Sequence, residues 1–155
     1  MKERIYKNVI LFMVGFCVYI TIETLYRKFS FWQMGVCGGI IIVLLDKINN
    51  HISWDIDLTI QGLIGSFLVT GIEFIIGTAW SYFDWIPVMW DYSNVPLNYN
   101  GIICVPFMLV WFVLSLLAIF LSDAINYYVF EELPVPYYKV FGRTMIKYKA
   151  KKCQL

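Results

Sequence analysis

Charged side chains are scarce: they make up 15% of the 155 residues, against roughly 25% in an ordinary soluble domain. A water-facing surface for one domain of this length needs more polar side chains than that, so a soluble globular fold is excluded first. The chain has one histidine, and its cysteines, Cys17, Cys37, Cys104 and Cys153, show no C-x-x-C spacing. That argues against a zinc site or a disulfide framework and leaves buried free thiols as the expectation. Cys153 is third from the end, where C-a-a-X prenylation needs it fourth. No G-x-x-x-x-G-K-[ST] phosphate loop occurs, so the chain does not carry an ATPase of that type. Net charge is only +1, too little for a broad nucleic-acid surface, and no cofactor-binding motif stands out.

What is abundant is apolar: 60% hydrophobic, 19% aromatic, with a mean hydropathy of +0.68. About 20 apolar residues let a helix cross the hydrocarbon core, and four stretches qualify, at about 7–26, 29–45, 58–80 and 102–121, the second being the shortest. The expected fold is therefore an all-α integral membrane protein with four transmembrane helices in a single membrane domain, its partner the lipid bilayer. The start, "MKERIYKNVILFMVGFCVYITIE", has the basic flank and apolar body of a signal peptide but no A-x-A site, and reads as an uncleaved anchor.

Basic residues near span ends stay on the cytoplasmic side. Ten of them, Lys2, Arg4, Lys7, Lys47, Lys139, Arg143, Lys147, Lys149, Lys151 and Lys152, fall on one side of this arrangement, and only Arg27 and Lys28 on the other. Both termini are thus expected in the cytoplasm, and the basic-residue-free connection at about 81–101 outside. The basic tail at about 131–155, after Pro134 and Pro136, either lies along an anionic leaflet or is solvated and only enforces topology.

The halves resemble each other. Glu23 and Glu73 each follow an Ile late in spans one and three, and Asp-x-Ile-Asn closes spans two and four at Asp46–Asn49 and Asp123–Asn126. Two related hairpins follow, the second enlarged by the aromatic insertion, as a parallel repeat about the membrane normal. Carboxylates inside spans are costly and avoid lipid. If the repeat holds, Glu23 and Glu73 share one depth and can approach each other, one of them protonated. Three roles are open to them: a proton or cation site on a transport path, an acid–base pair in a membrane enzyme, or hydrogen bonding between helices. No nucleophile with an adjacent His accompanies them, and the favoured reading is not an enzyme. Asp46 and Asp123 are expected near water at the inner interface, with Asn49 and Asn126 as helix-end partners. Gly35 with Gly39, and Gly62 with Ser66, suit close helix approach. His51 is expected in a solvated turn with Asp55 and Asp57.

The insertion, "WSYFDWIPVMWDYSNVPLNYNG", combines headgroup-level aromatics, among them Trp80, Trp85 and Trp90, with Asn, Ser and Asp residues that cap turns. Either it forms a lid close to Glu23 and Glu73, with Asp91 completing a polar site, or it anchors span four, with Asn100 near the N-cap and Pro106 tolerated in the first turns. The run Trp90, Asp91, Tyr92, Ser93, Pro96, Asn98, Gly101, followed by Ile103 and Cys104, resembles the signature of a family of small multi-pass membrane proteins labelled "putative ABC-transporter type IV", or ABC transporter permease. The resemblance covers about half the chain, from the Glu73 span onward. It implies a small transporter or permease-like subunit in the cell membrane. Any ATPase would be a separate chain, and a pathway would need dimerisation or a partner. A membrane protein that binds or regulates without translocating is the alternative.

Overall fold

The computed structural model describes residues 2–85, 87–132 and 134–149; Lys151, Lys152 and Cys153, singled out above, lie outside them. In order along the chain are α1 (Lys2–Arg27), α2 (Trp32–His51), α3 (Leu58–Tyr82), β1 (Asn98–Tyr99), β2 (Ile103–Cys104), α4 (Val105–Tyr128), β3 (Tyr137–Val140) and β4 (Arg143–Lys147). The four helices fall on the four apolar stretches. Among the described residues, three of them, α1, α3 and α4, are long and apolar enough to cross a membrane. The apolar centre of α2 is flanked by Gln33 at one end and by Asp46, Lys47, Asn49, Asn50 and His51 at the other. That element is helical, but its crossing is not established by length and composition.

Helix ends differ from the expected spans for local reasons. α2 runs on to His51, which is its exposed last residue and not a turn residue. α4 begins at Val105 with Pro106 in its first turn, where the missing N–H has no intrahelical partner to lose. Asn100 is not its cap; with φ at 51° it lies in a turn before the helix. α4 continues to Tyr128, and the chain turns at Glu131, φ 57°, before either proline.

The chain divides into two compact units, one of residues 1–61 and 117–155, the other of residues 62–116. In the first, α1 packs on α2 through small residues. A Cβ at Gly35 would come within 2.7 Å of the Phe16 ring, one at Gly39 within 2.6 Å of the Phe12 ring, and one at Gly15 within 2.6 Å of the Gly38 carbonyl oxygen. The expected Gly35–Gly39 contact is therefore present, and Gly15 and Gly38 extend it. Leu11, Met34, Ile42 and Leu45 form the buried seam, while Ile5, Val9 and Met13 on α1 are more than half exposed. An apolar stripe of that kind suits lipid contact far better than water. Among the described cysteines, Cys17 is exposed, Cys37 partly so, and Cys104 meets the expectation of a buried thiol.

The tail, expected along a leaflet or solvated, is ordered as a hairpin whose second strand is exposed throughout. β3 and β4 pair antiparallel through a turn at Phe141 and Gly142, and Tyr138 is fully buried. Its hydroxyl donates to Asp123 Oδ2 at 2.6 Å, and its ring meets Phe120 edge-on at 4.6 Å between centroids. The Tyr148 hydroxyl donates to the Phe120 carbonyl at 2.7 Å. Burial, and then the Asp123 carboxylate, hold the Tyr138 hydroxyl well above the usual phenol range, so it is a donor at any working pH.

The segment before α3 ties the hairpin down. Asp55 accepts from Lys139 Nζ at 2.6 Å and from the Tyr137 hydroxyl at 2.9 Å; Asp57 accepts the Phe141 backbone N–H at 2.5 Å and caps α3 through Thr59 N–H at 2.9 Å. The bond from Lys139 leads in holding Asp55 below its ordinary 3.8, and the bonds from Thr59 lead for Asp57. A depressed folded value means that these contacts stabilise above the unfolded pKa and weaken as pH falls through the folded one. We expect the Phe141 amide to lose protection, relative to its intrinsic exchange rate, as pH falls below the ordinary aspartate range and both carboxylates take up protons, and to keep it unchanged between about pH 6 and 8. Asp57→Asn should remove most of that acid dependence in an exchange measurement.

Candidate functional site

Residues 62–116 contain Glu73, Asp84 and Asp91 and no Lys or Arg. Within this unit α3 and α4 approach closely at Gly62, where a Cβ would come within 2.7 Å of both Leu116 and Phe112. One turn on, the Ser66 hydroxyl donates to the Met108 carbonyl at 2.7 Å. Glu73 lies two turns further along the same face of α3, and its side chain is buried. Its two oxygens accept from the Tyr92 hydroxyl at 2.9 Å and the Trp111 indole N–H at 2.7 Å. Tyr92 also stacks on Phe107, with centroids 4.5 Å apart. The carboxylate of α3 is thus held by the α3–α4 connection on one oxygen and by α4 on the other.

The connection is a structured element. Trp90 fixes one end by donating its indole N–H to the Ile102 carbonyl at 2.8 Å. Asp91 turns back on the chain, its Oδ1 accepting from Ser93 N–H at 2.8 Å and Ser93 Oγ at 2.5 Å. These bonds hold the Asp91 carboxyl below the usual aspartate range, so it is ionised near neutral pH. Asn98 brackets the loop, donating to the Val95 carbonyl at 2.8 Å and accepting from Gly101 N–H at 3.1 Å. Tyr92 N–H donates to the Gly101 carbonyl at 2.8 Å, and β1 pairs with β2 through a turn in which Asn100 and Gly101 both have positive φ.

Gly101 is fixed by two constraints at once. Its φ is 68°, and a Cβ there would come within 2.6 Å of Ser93 Oγ and 2.9 Å of Asp91 Oδ1. We expect Gly101→Val to destabilise the connection by about 2–3 kcal/mol, the cost of a β-branched residue in a left-handed turn together with displacement of the Asp91–Ser93 pair. Limited proteolysis between 83 and 100 reads this out as faster cleavage, with Gly101→Ala intermediate.

Asp91 therefore serves the loop's own turn, and Tyr92, the next residue, is what reaches Glu73. Glu23 has partners of its own in the other unit: Arg27 at 2.5 Å, one turn on along α1, and the Ser30 hydroxyl. Arg27 also lies over the Phe29 ring at 5.0 Å. Tyr92 stood in the sequence only as part of the family motif and Trp111 not at all, because a buried aromatic with a polar tip looks the same in sequence as an interfacial anchor. The pairing of Glu73 with aromatic donors was not signalled by any spacing.

A second polar cluster also went unread. In the unit of residues 1–61 and 117–155, Asp46 is buried, away from the water expected around it. Its Oδ1 accepts from Asn126 Nδ2 at 2.5 Å, its Oδ2 accepts from Asn50 Nδ2 at 3.2 Å, and Lys7 Nζ lies 3.5 Å from Oδ2. Lys7 also donates to both oxygens of Glu132, at 2.9 and 3.0 Å. Asp123 is equally buried, under Tyr138.

Three helices long and apolar enough to cross a membrane are what a membrane protein of the multi-helix class requires. The chain belongs to the family described as "Putative ABC-transporter type IV", whose model matches residues 10–149. No curated protein and no solved structure matches the chain.

Proposed function

We propose that the protein is a small multi-pass transporter, or a permease-like transporter subunit, of the cell membrane, working with a separate ATPase chain. The observation that carries this reading is the double anchoring of Glu73 by Tyr92 and Trp111, because it links the α3–α4 connection to an intramembrane carboxylate that a merely structural span would replace with Leu or Val. In this reading all four helices cross, α2 among them, in one membrane domain with both termini cytoplasmic and the connection outward. The ten-to-two division of basic residues supports that orientation. The two hairpins are related, and Asp46 of the first Asp-x-Ile-Asn bonding to Asn126 of the second is the kind of cross-pair a two-fold repeat produces. The polar site is centred on Glu73, with Glu23 as its repeat counterpart and Asp91 contributing through the turn that presents Tyr92, and the connection acts as a lid. No cofactor, no nucleic acid and no catalytic residue enters, and a homodimer supplies the further helices a pathway needs.

Native-complex isolation in mild detergent tests it: an ATPase subunit in fixed stoichiometry is expected, with Glu73→Gln keeping the complex but losing its substrate-stimulated ATP hydrolysis. Glu73→Gln together with Glu23→Gln, leaving hydrolysis and stability unchanged, would sink the carboxylate site. Recovery with an unrelated membrane enzyme and no ATPase would favour the non-translocating regulator, a role that the full engagement of Glu73 also suits.

A further inference from the structure

The α3–α4 connection borders an open cleft of about 430 Å³, inside the range of small-molecule sites, roughly 300–1,000 Å³. Its walls include the indoles of Trp80, Trp85 and Trp90 and the side chains of Asp84 and Asp91, with Gly77 and Gly101 as close-approach points. Glu73 is not in its lining, so it is a different place from the Tyr92–Trp111 anchor.

Three observations say what chemistry fits. The indole N–H groups of Trp80 and Trp90 are already given to the carbonyls of Pro87 and Ile102, at 3.0 and 2.8 Å, so these rings have no donor left for an anion or a carbonyl and present π surface. Trp85 meets Trp80 edge-on, with centroids 4.8 Å apart and planes at 83°, and stacks on Phe83 at 5.2 Å, so the rings form one aromatic wall with planes near a right angle and the uncovered face of Trp85 remaining for a ligand. And the chain has no Lys or Arg anywhere between Lys47 and Lys139, so no basic side chain of this unit neutralises Asp84 and Asp91. Aromatic faces at right angles beside uncompensated carboxylates attract cations, above all bulky, weakly hydrated ones.

We propose that this cavity is a binding site for an organic ammonium group, with quaternary trimethylammonium the best fit. Trp80, Trp85 and Trp90 supply cation–π contact and Asp84 and Asp91 supply charge. The size of the cavity exceeds what a bare metal ion needs, and among the described residues no three His, Cys, Asp or Glu side chains cluster to hold one. A trimethylammonium group can arrive as a free solute or as the headgroup of a choline lipid. Binding at this site does not depend on whether the chain transports anything.

Full-length protein in maltoside micelles, titrated with tetramethylammonium and read by tryptophan fluorescence, should saturate at millimolar concentration. Its neutral counterpart tert-butanol should bind at least about tenfold more weakly. Asp84→Asn should weaken tetramethylammonium about threefold, and Trp85→Leu about fivefold, with recovery in Trp85→Phe. Trp85 is half exposed, so neither change should alter the thermal unfolding of the protein. Absence of saturation, equal binding of tert-butanol, or unchanged affinity in both folded variants would overturn the proposal and leave the tryptophans as interfacial anchors. In phosphatidylglycerol nanodiscs, displacement of tetramethylammonium by added phosphatidylcholine identifies the lipid headgroup as source; displacement by free choline alone identifies a soluble cation. Both results support the trimethylammonium site.

Discussion

Tyr138→Ala is expected to cost about 3–5 kcal/mol, measured as a shift in the SDS concentration that unfolds the protein from maltoside micelles. The side chain is completely buried against Phe120, Trp54 and Tyr148, so truncation leaves a cavity the size of a phenol ring in a rigid surround. It also takes one donor from the buried Asp123. Tyr138→Phe separates the two contributions. It keeps the packing and loses only the hydrogen bond, and should cost about 1–2 kcal/mol. The alanine variant should also free the β3–β4 hairpin, visible as rapid tryptic cleavage at Arg143. If Tyr138→Ala unfolds at the wild-type point, the hairpin contributes nothing to the fold.

The second large effect is at Asp46. Asp46→Leu removes the acceptor for Asn126 and Asn50 and one of the two carboxylates near Lys7, and a buried pair broken from one side costs about 3–5 kcal/mol. Lys7 keeps Glu132, whose side chain is 44% exposed and whose pairing is consequently screened by water. The expected loss therefore lies toward the lower end, about 3 kcal/mol. Adding Lys7→Met should restore a large part of it, since an apolar pair of similar volume in place of a buried ion pair is often close to neutral. A double variant no better than Asp46→Leu would assign the loss to Asn126, not to Lys7. Both effects concern the unit of residues 1–61 and 117–155, and neither should change tetramethylammonium binding in the α3–α4 connection.

Much of the architecture was legible because a bilayer asks little of a sequence: apolar length and a few small residues. The four helices, the Gly35–Gly39 and Gly62–Ser66 contacts and Pro106 at a helix start follow from those demands. Family membership was legible too, in the run from Trp90 to Gly101, and the structure gives most of those residue types a physical reason. Trp90, Asp91, Asn98 and Gly101 close the loop on itself, and Tyr92 leaves it for Glu73.

Partners were not legible, because pairing across the fold has no periodicity to read. Lys7 and Glu132 are 125 residues apart, and Asp46 and Asn126 80; each alone resembles an ordinary interface residue. The hairpin was missed because short strands with basic residues read as a tail, and only the burial of Tyr138 under Asp123 makes them a structure. Asp91 stood out in the sequence as a candidate for a polar site; its short side chain bonds Ser93 in its own turn, and the longer Tyr92 reaches Glu73. Sequence by itself determined the solvent, the helices and the family, since these depend on composition and local pattern. Which carboxylate meets which donor, and the walls of the indole cavity, were decided by tertiary structure alone, because each needs residues that only folding brings within hydrogen-bonding distance.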